Sequence, residues 1–269
     1  SLSSSRKPPS LSSYSKSLSA MRLDALLAGT FCFAAEVPTG GAAGGVGAGG
    51  AGGAGGPHSV TASETGTIER ISMSNPAMMS MMPPLDLDGG DVTAVAVHDN
   101  LVAASIKAKA ADAPGMVKLF DVAGNLLASF ETGALPDNVA FSPDGRYLLT
   151  ANEGEPSDDY TVDPEGSLTL IDLAGGAANA KVTQISLDGI EAPAGSRIVK
   201  PGSSFAADAE PEYVAFAPDG KTAYVTLQEN NAVAVIDIDT AQVAKIVGLG
   251  VKNVSRTSHD MSTKTTVST

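Results

Sequence analysis

Tryptophan is absent from the 269 residues, and cysteine occurs once, as Cys32. A lone thiol excludes an internal disulfide and any cysteine-built zinc or iron–sulfur ligand set. Basic residues are scarce as well: 17 Lys and Arg stand against 30 Asp and Glu, a formal net charge of −13. Without a basic stripe to displace counterions, nucleic acid is not an expected partner. The carboxylate surplus suits solubility or cationic partners instead. No apolar run reaches the about 18 residues of a membrane-spanning helix, so no span is expected in this chain. Helical periodicity is missing too.

What is present changes character along the chain. The first twenty residues are Ser-rich, with Arg6, Lys7 and Lys16 and no acid. After Met21 and Arg22 comes a short apolar run, Leu26-Leu-Ala-Gly-Thr-Phe-Cys-Phe-Ala-Ala35. A basic start, a short apolar segment and small residues before Glu36 have the form of a secretory leader. Asp24 sits badly inside one, and a Ser-rich, acid-poor start equally fits an organelle transit peptide. Residues 1–36 are thus expected to be a leader or targeting segment, and the product to be secreted or at the cell surface, or alternatively organelle-targeted. Residues 37–84 are expected to be a disordered linker. Its Gly45-Val-Gly-Ala-Gly-Gly50 matches a dinucleotide fingerprint by composition alone, since no strand precedes it and no helix follows. The cluster Met78-Met-Ser-Met-Met82 reads as connector rather than metal site.

Order is expected from about Leu85. Asp91-Val-Thr-Ala-Val-Ala-Val97, Leu101-Val-Ala-Ala-Ser-Ile106 and Gly115-Met-Val-Lys-Leu-Phe-Asp-Val122 alternate as half-buried strands separated by turns. Repetition then narrows the fold. Val139-Ala-Phe-Ser-Pro-Asp-Gly145 recurs as Val214-Ala-Phe-Ala-Pro-Asp-Gly220. Each copy is followed by a strand, a polar loop, and Gly166-Ser-Leu-Thr-Leu-Ile-Asp-Leu173 or Asn231-Ala-Val-Ala-Val-Ile-Asp-Ile238. Pro sets the first corner of a tight turn, Asp bonds its own backbone, and Gly takes the positive-φ position. A four-stranded sheet cannot bury both faces alone, so such copies stack. The expectation is an all-β fold: a partial β-propeller of about three four-stranded blades from a seven-bladed ring, flanked by a disordered N-terminal region and tail.

The run Gly133-Ala-Leu-Pro-Asp-Asn-Val-Ala-Phe-Ser-Pro-Asp-Gly145, with Ala151-Asn-Glu-Gly-Glu-Pro156, Asp163-Pro-Glu-Gly-Ser167, Ala209-Glu-Pro-Glu-Tyr213 and Ala223-Tyr-Val-Thr-Leu-Gln-Glu-Asn-Asn-Ala232, resembles the choice-of-anchor I propeller domain. That domain occurs in bacterial surface proteins and in the mesenchyme-specific cell surface glycoprotein of echinoderms. The resemblance covers residues 85–253 and leaves a Ser/Thr/Lys tail at 254–269. It implies further blades before Leu85 and after the Leu249 region, so the chain reads as a fragment or a gene model that leaves its frame after about Asn253. It also implies a cell-surface binding or structural module whose partners are matrix, mineral or other surface components.

Chemistry is expected in the loop after Ala151. Asn152, Glu153, Glu155, Asp158 and Asp159, then Asp163 and Glu165, offer carboxylate and amide oxygens, the donors that calcium collects six to eight at a time. Glu229, in the equivalent loop of the second copy, is expected to join them, with Asp208, Glu210 and Glu212 on the approach. No catalytic residue is expected: there is no Gly-x-Ser-x-Gly elbow, and His98 reads as a turn residue. The alternative is a metal-dependent, phosphatase-like hydrolase with Arg197 or Lys200 beside the same carboxylates. Asn253-Val-Ser255 is a glycosylation sequon.

Overall fold

The computed structural model describes residues 34–36, 58–63, 67–72, 77–85, 87–88, 90–157 and 159–250. The leader apart from residues 34–36, most of the linker, Asp158, Asn253 and the tail lie outside the described residues. Two compact units divide between Val92 and Thr93.

The first unit holds one antiparallel sheet of four strands in sequence order: β1 (Ala34–Glu36), β2 (His58–Ser63), β3 (Thr67–Ser72) and β4 (Ser80–Leu85). Three of these strands fall where the sequence reading places a linker. Their pattern escapes a search for alternation because β4, Ser-Met-Met-Pro-Pro-Leu, buries only Leu85 while Met78, Met79 and Met81 stay exposed. Backbone pairing, not apolar patterning, defines that strand: Met82 lies opposite Arg70, whose guanidinium donates to the Pro83 carbonyl.

The second unit contains three such sheets, apart from Asp91 and Val92 at the start of the first. Blade A comprises β5 (Asp91–His98), β6 (Leu101–Lys107), β7 (Pro114–Asp121) and β8 (Leu126–Ala134). Blade B comprises β9 (Pro136–Phe141), β10 (Tyr147–Asn152), β11 (Ser167–Asp172) and β12 (Lys181–Ser186). Blade C comprises β13 (Pro211–Phe216), β14 (Thr222–Leu227), β15 (Ala232–Asp237) and β16 (Gln242–Gly248). A short helix, α1 (Phe205–Asp208), precedes β13. Every connection within a blade joins neighbouring strands, as turn-separated alternating segments require.

The seams between blades bury the repeats' apolar side chains. Ala94, Ala103, Val117, Leu119 and Phe130 of blade A pack with Val139, Leu148 and Ile171 of blade B. On blade B's opposite face, Leu149, Ala151, Leu168, Leu170 and Ile185 pack with Val214, Ala223, Val225, Ala234 and Ile236 of blade C. A buried Leu or Ile removed from water in this way contributes about 1.5–3 kcal/mol. In each Pro-Asp-Gly turn the glycine takes positive φ, 70° at Gly145 and 68° at Gly220. Blade A closes its matching turn with Asp99 at φ 49°. Its His98 packs onto blade B's turn: its ring lies 5.7 Å from Phe141, and a Cβ on Gly145 would stand 2.2 Å from its Cδ2.

Candidate functional site

Antiparallel pairing brings the start of a blade's first strand beside the end of its second. Pro136 lies opposite Asn152 in blade B, and Pro211 lies opposite Leu227 in blade C. The loops after β10 and β14 therefore emerge at the same end as the residues entering β9 and β13. Six carboxylates gather there: Asp137, Glu153 and Glu155 from blade B, and Glu210, Glu212 and Glu229 from blade C.

Their electrostatics show how they face one another. Burial pushes Glu153 up to about 8, and the charges of Asp137, Glu212, Glu155 and Glu210 push in the same direction. Burial and Glu155 also raise Asp137, against the pull of Lys107. Glu212 is raised by burial, against a hydrogen bond from Gln228, with Asp137, Glu229 and Glu210 adding repulsion. Glu210 rises through burial although Lys200 opposes it. Desolvation and mutual repulsion both disfavour the ionised forms, so this end of the B–C seam carries more negative charge than its surroundings neutralise.

Beside Lys107, a second ammonium enters the group. Lys200 lies 2.9 Å from Asp163 and 3.3 Å from Glu210, and donates to the Ala207 carbonyl. Its backbone, with that of Val199, donates to Asp208, which is 1 % exposed. Asn230 also donates to Asp208 and to the carbonyls of Asp208 and Arg197. Those three acceptors fix the amide orientation and leave Asn230 Oδ1 buried without a hydrogen-bond partner. Arg197 is exposed.

The residues expected from sequence divide clearly. Glu153, Glu155 and Glu229 join the cluster. Asn152 does not: it is fully buried, accepts from Thr150 and donates to Ser167 and Thr169. Asp159 is exposed and closes a local turn, accepting from Ser157 and Thr161. Asp163 is held by Lys200, Glu165 is exposed, and Asp158 lies outside the described residues. Among the described residues, no three His, Cys, Asp or Glu side chains are gathered tightly enough to hold a metal ion as they stand. Asp137 escaped the sequence reading, yet a signal existed. In the aligned repeats Pro136-Asp137 matches Pro211-Glu212, so an acid recurs at the second position of the first strand in blades B and C.

The choice-of-anchor I domain matches residues 58–267, starting before and ending after the limits drawn from sequence. No curated protein matches the chain. Among solved structures, hydrazine synthase of Kuenenia stuttgartiensis aligns at 17 % identity and a TM-score of 0.50, covering 68 % of this chain and 50 % of that one. The β-propeller domain of Cps50 (Swd1) of Myceliophteria thermophila aligns at 10 % identity and a TM-score of 0.50, covering 72 % of this chain and 52 % of that one. This chain thus spans about half the length of the structures it matches, and at such identity the likeness speaks for the propeller fold alone. With the matched region running through both units and all three repeats, the chain belongs to the choice-of-anchor I domain family.

Proposed function

We propose that this chain is a surface-associated β-propeller module that binds a hard cation, calcium first, at the carboxylate end of the B–C seam. The observation that carries the reading is the opposition of carboxylates from two blades, with Glu153 raised to about 8. A carboxylate forced to keep its proton near neutrality is one that a divalent cation can relieve, because the ion supplies the missing positive charge. The oxygen-only donor set suits calcium, which tolerates flexible geometry and mixed carboxylate and carbonyl ligands. Exposed Glu155 and half-buried Glu229 are the members free to swing inward around an ion. On this reading the partners are matrix, mineral or cell-surface components rich in calcium. The module acts by binding, not turnover. A hydrolase would need a cation side chain facing substrate beside these carboxylates; Asp163 and Glu210 occupy Lys200, and among the described residues exposed Arg197 forms no ion pair with the cluster.

Thermal unfolding of the full chain at pH 8, with calcium and with magnesium, tests the proposal. Ligand binding to the folded state alone raises the melting temperature by mass action. Calcium is expected to raise it more than magnesium, and Glu212→Gln is expected to shrink the rise. An unchanged melting temperature at millimolar calcium would remove the cation from the account.

A further inference from the structure

The last strand of the first unit carries a set of donor atoms chemically opposite to the carboxylate cluster. Strand β4 ends its sheet, which runs in the order β1-β2-β3-β4. Met81 lies opposite Ile71, and Met82 lies opposite Arg70. Side chains alternate along a strand, so Met79, just before β4, shares Met81's face, while Met82 shares that of buried Arg70. Met78, Met79 and Met81 are 75 %, 63 % and 62 % exposed, and Met82 is half-buried. Methionine is ordinarily among the more buried residue types, and thioethers held in water forgo the gain of burial. Residues 77–85 contain no charged side chain, imidazole or thiol. Exposed Pro83 and Pro84 offer no backbone donor, which blunts the strand's free edge against pairing with a further strand.

We infer that the thioethers of Met79 and Met81, joined by that of Met78, form a site for a soft monovalent cation, copper(I). The strand, absent from a connector, is what makes this a site: it fixes two sulfur-bearing arms on one face. Residues two apart on a strand stand about 6–7 Å from each other. Two unbranched arms of three rotatable bonds each can close that span around one ion, and exposure leaves them free to do so. Polarisable sulfur selects copper(I), whereas calcium and magnesium take oxygen. The site therefore discriminates against the hard cation assigned to the B–C seam. A thioether also carries no proton, so binding here releases none, unlike binding to thiol, imidazole or carboxylate. Metal affinity is accordingly independent of pH across the range in which those groups titrate. This inference does not rest on the reading of the B–C seam.

The test uses the full chain with Cys32→Ser, which removes the one thiol, isotopically labelled at the methionine methyl carbons. Silver(I), a soft ion of the same charge, is titrated and followed by NMR. Copper(I) is then titrated under nitrogen in competition with bicinchoninate. One equivalent of silver(I) is expected to shift the methyls of Met78, Met79 and Met81 and to leave those of Met82 and Met116 in place. Met79→Leu and Met81→Leu conserve volume on an exposed face. Each is expected to weaken copper(I) binding at least about tenfold, the loss that even outer-shell changes cause at metal sites. Affinity should be equal at pH 5 and pH 7.5, and Met82→Leu should leave it unchanged. No saturable methyl shift in the Cys32→Ser chain would overturn the inference, whatever the variants do. Binding that survives in the Met79→Leu, Met81→Leu double variant, or is lost at pH 5, would assign the metal to histidine and overturn it too. Equal weakening by Met82→Leu would overturn the assignment to one strand face.

Discussion

Blades B and C follow one register through their first three strands, yet they fill part of their inward faces, those turned to the preceding blade, with opposite chemistry. In blade B the inward positions Thr150, Asn152 and Thr169 are fully buried and polar. Thr150 donates to Asn152, Asn152 donates to Ser167 and Thr169, and Thr169 reaches Gln184. Blade A closes against this network so tightly that a Cβ on Gly133 would stand 2.2 Å from Ser167 Oγ. Blade C places Val225, Leu227, Ala232 and Ala234 at the matching positions, all buried and none polar. The repeat therefore prescribes backbone pairing and burial but not side-chain chemistry. A polar layer is accepted wherever its hydrogen bonds close on themselves.

The largest effect that sharpens the comparison lies on the outward faces. Leu170→Ala is expected to cost about 2–5 kcal/mol of unfolding free energy, as core truncations do. Val235→Ala, at the matching position in blade C, is expected to cost under about 1 kcal/mol, as partly exposed sites do. Urea unfolding followed by circular dichroism checks both, and equal losses would break the distinction between a covered and an open face. Next comes the polar layer. Asn152→Ala strands the buried hydroxyl of Thr150, removes one donor from Thr169, and is expected to cost about 1–3 kcal/mol. Leu227→Ala in blade C leaves a cavity but no orphaned polar group.

A pH effect separates the seam's carboxylate end from the rest. Glu153 stands at about 8 in the folded chain against an ordinary value of 4.5. The folded state thus holds the extra proton between those values. Its contribution to stability is full below about 4.5, falls as pH rises, and is lost through about 8. Asp137, Glu210 and Glu212 shift in the same direction. Melting temperature is therefore expected to fall from pH 5.5 to pH 8.5, and Glu153→Gln to flatten that slope. The smallest effect concerns the turn acid: Asp159→Ala is expected to leave the calcium-induced rise in melting temperature unchanged, because its oxygens serve Ser157 and Thr161.

Much of the fold was legible in the sequence because the two Val-Ala-Phe-x-Pro-Asp-Gly copies carry both turn chemistry and strand period. The first unit's sheet was not. Its strands mix exposed Met and Pro with a few buried residues such as Ile68 and Arg70, so period-two reading finds little to count. The site was half legible. Acids in an inserted loop were visible as a group, but which of them turn toward the neighbouring blade depends on pairing across β10 and β14. That is why Asn152 proved to be a buried network residue and Asp137 a member of the cluster. Lys200 illustrates the same limit. Nothing local in the segment Ile198–Val199–Lys200 indicates that it crosses to Asp163, 37 residues earlier.

The most direct measurement is a calorimetric titration of the full chain with calcium at pH 7.5, repeated in two buffers of different ionisation enthalpy. The account predicts binding accompanied by proton release, with the release lost in Glu153→Gln. Absence of calcium heat, or binding with no proton exchange and no change in Glu153→Gln, would contradict it.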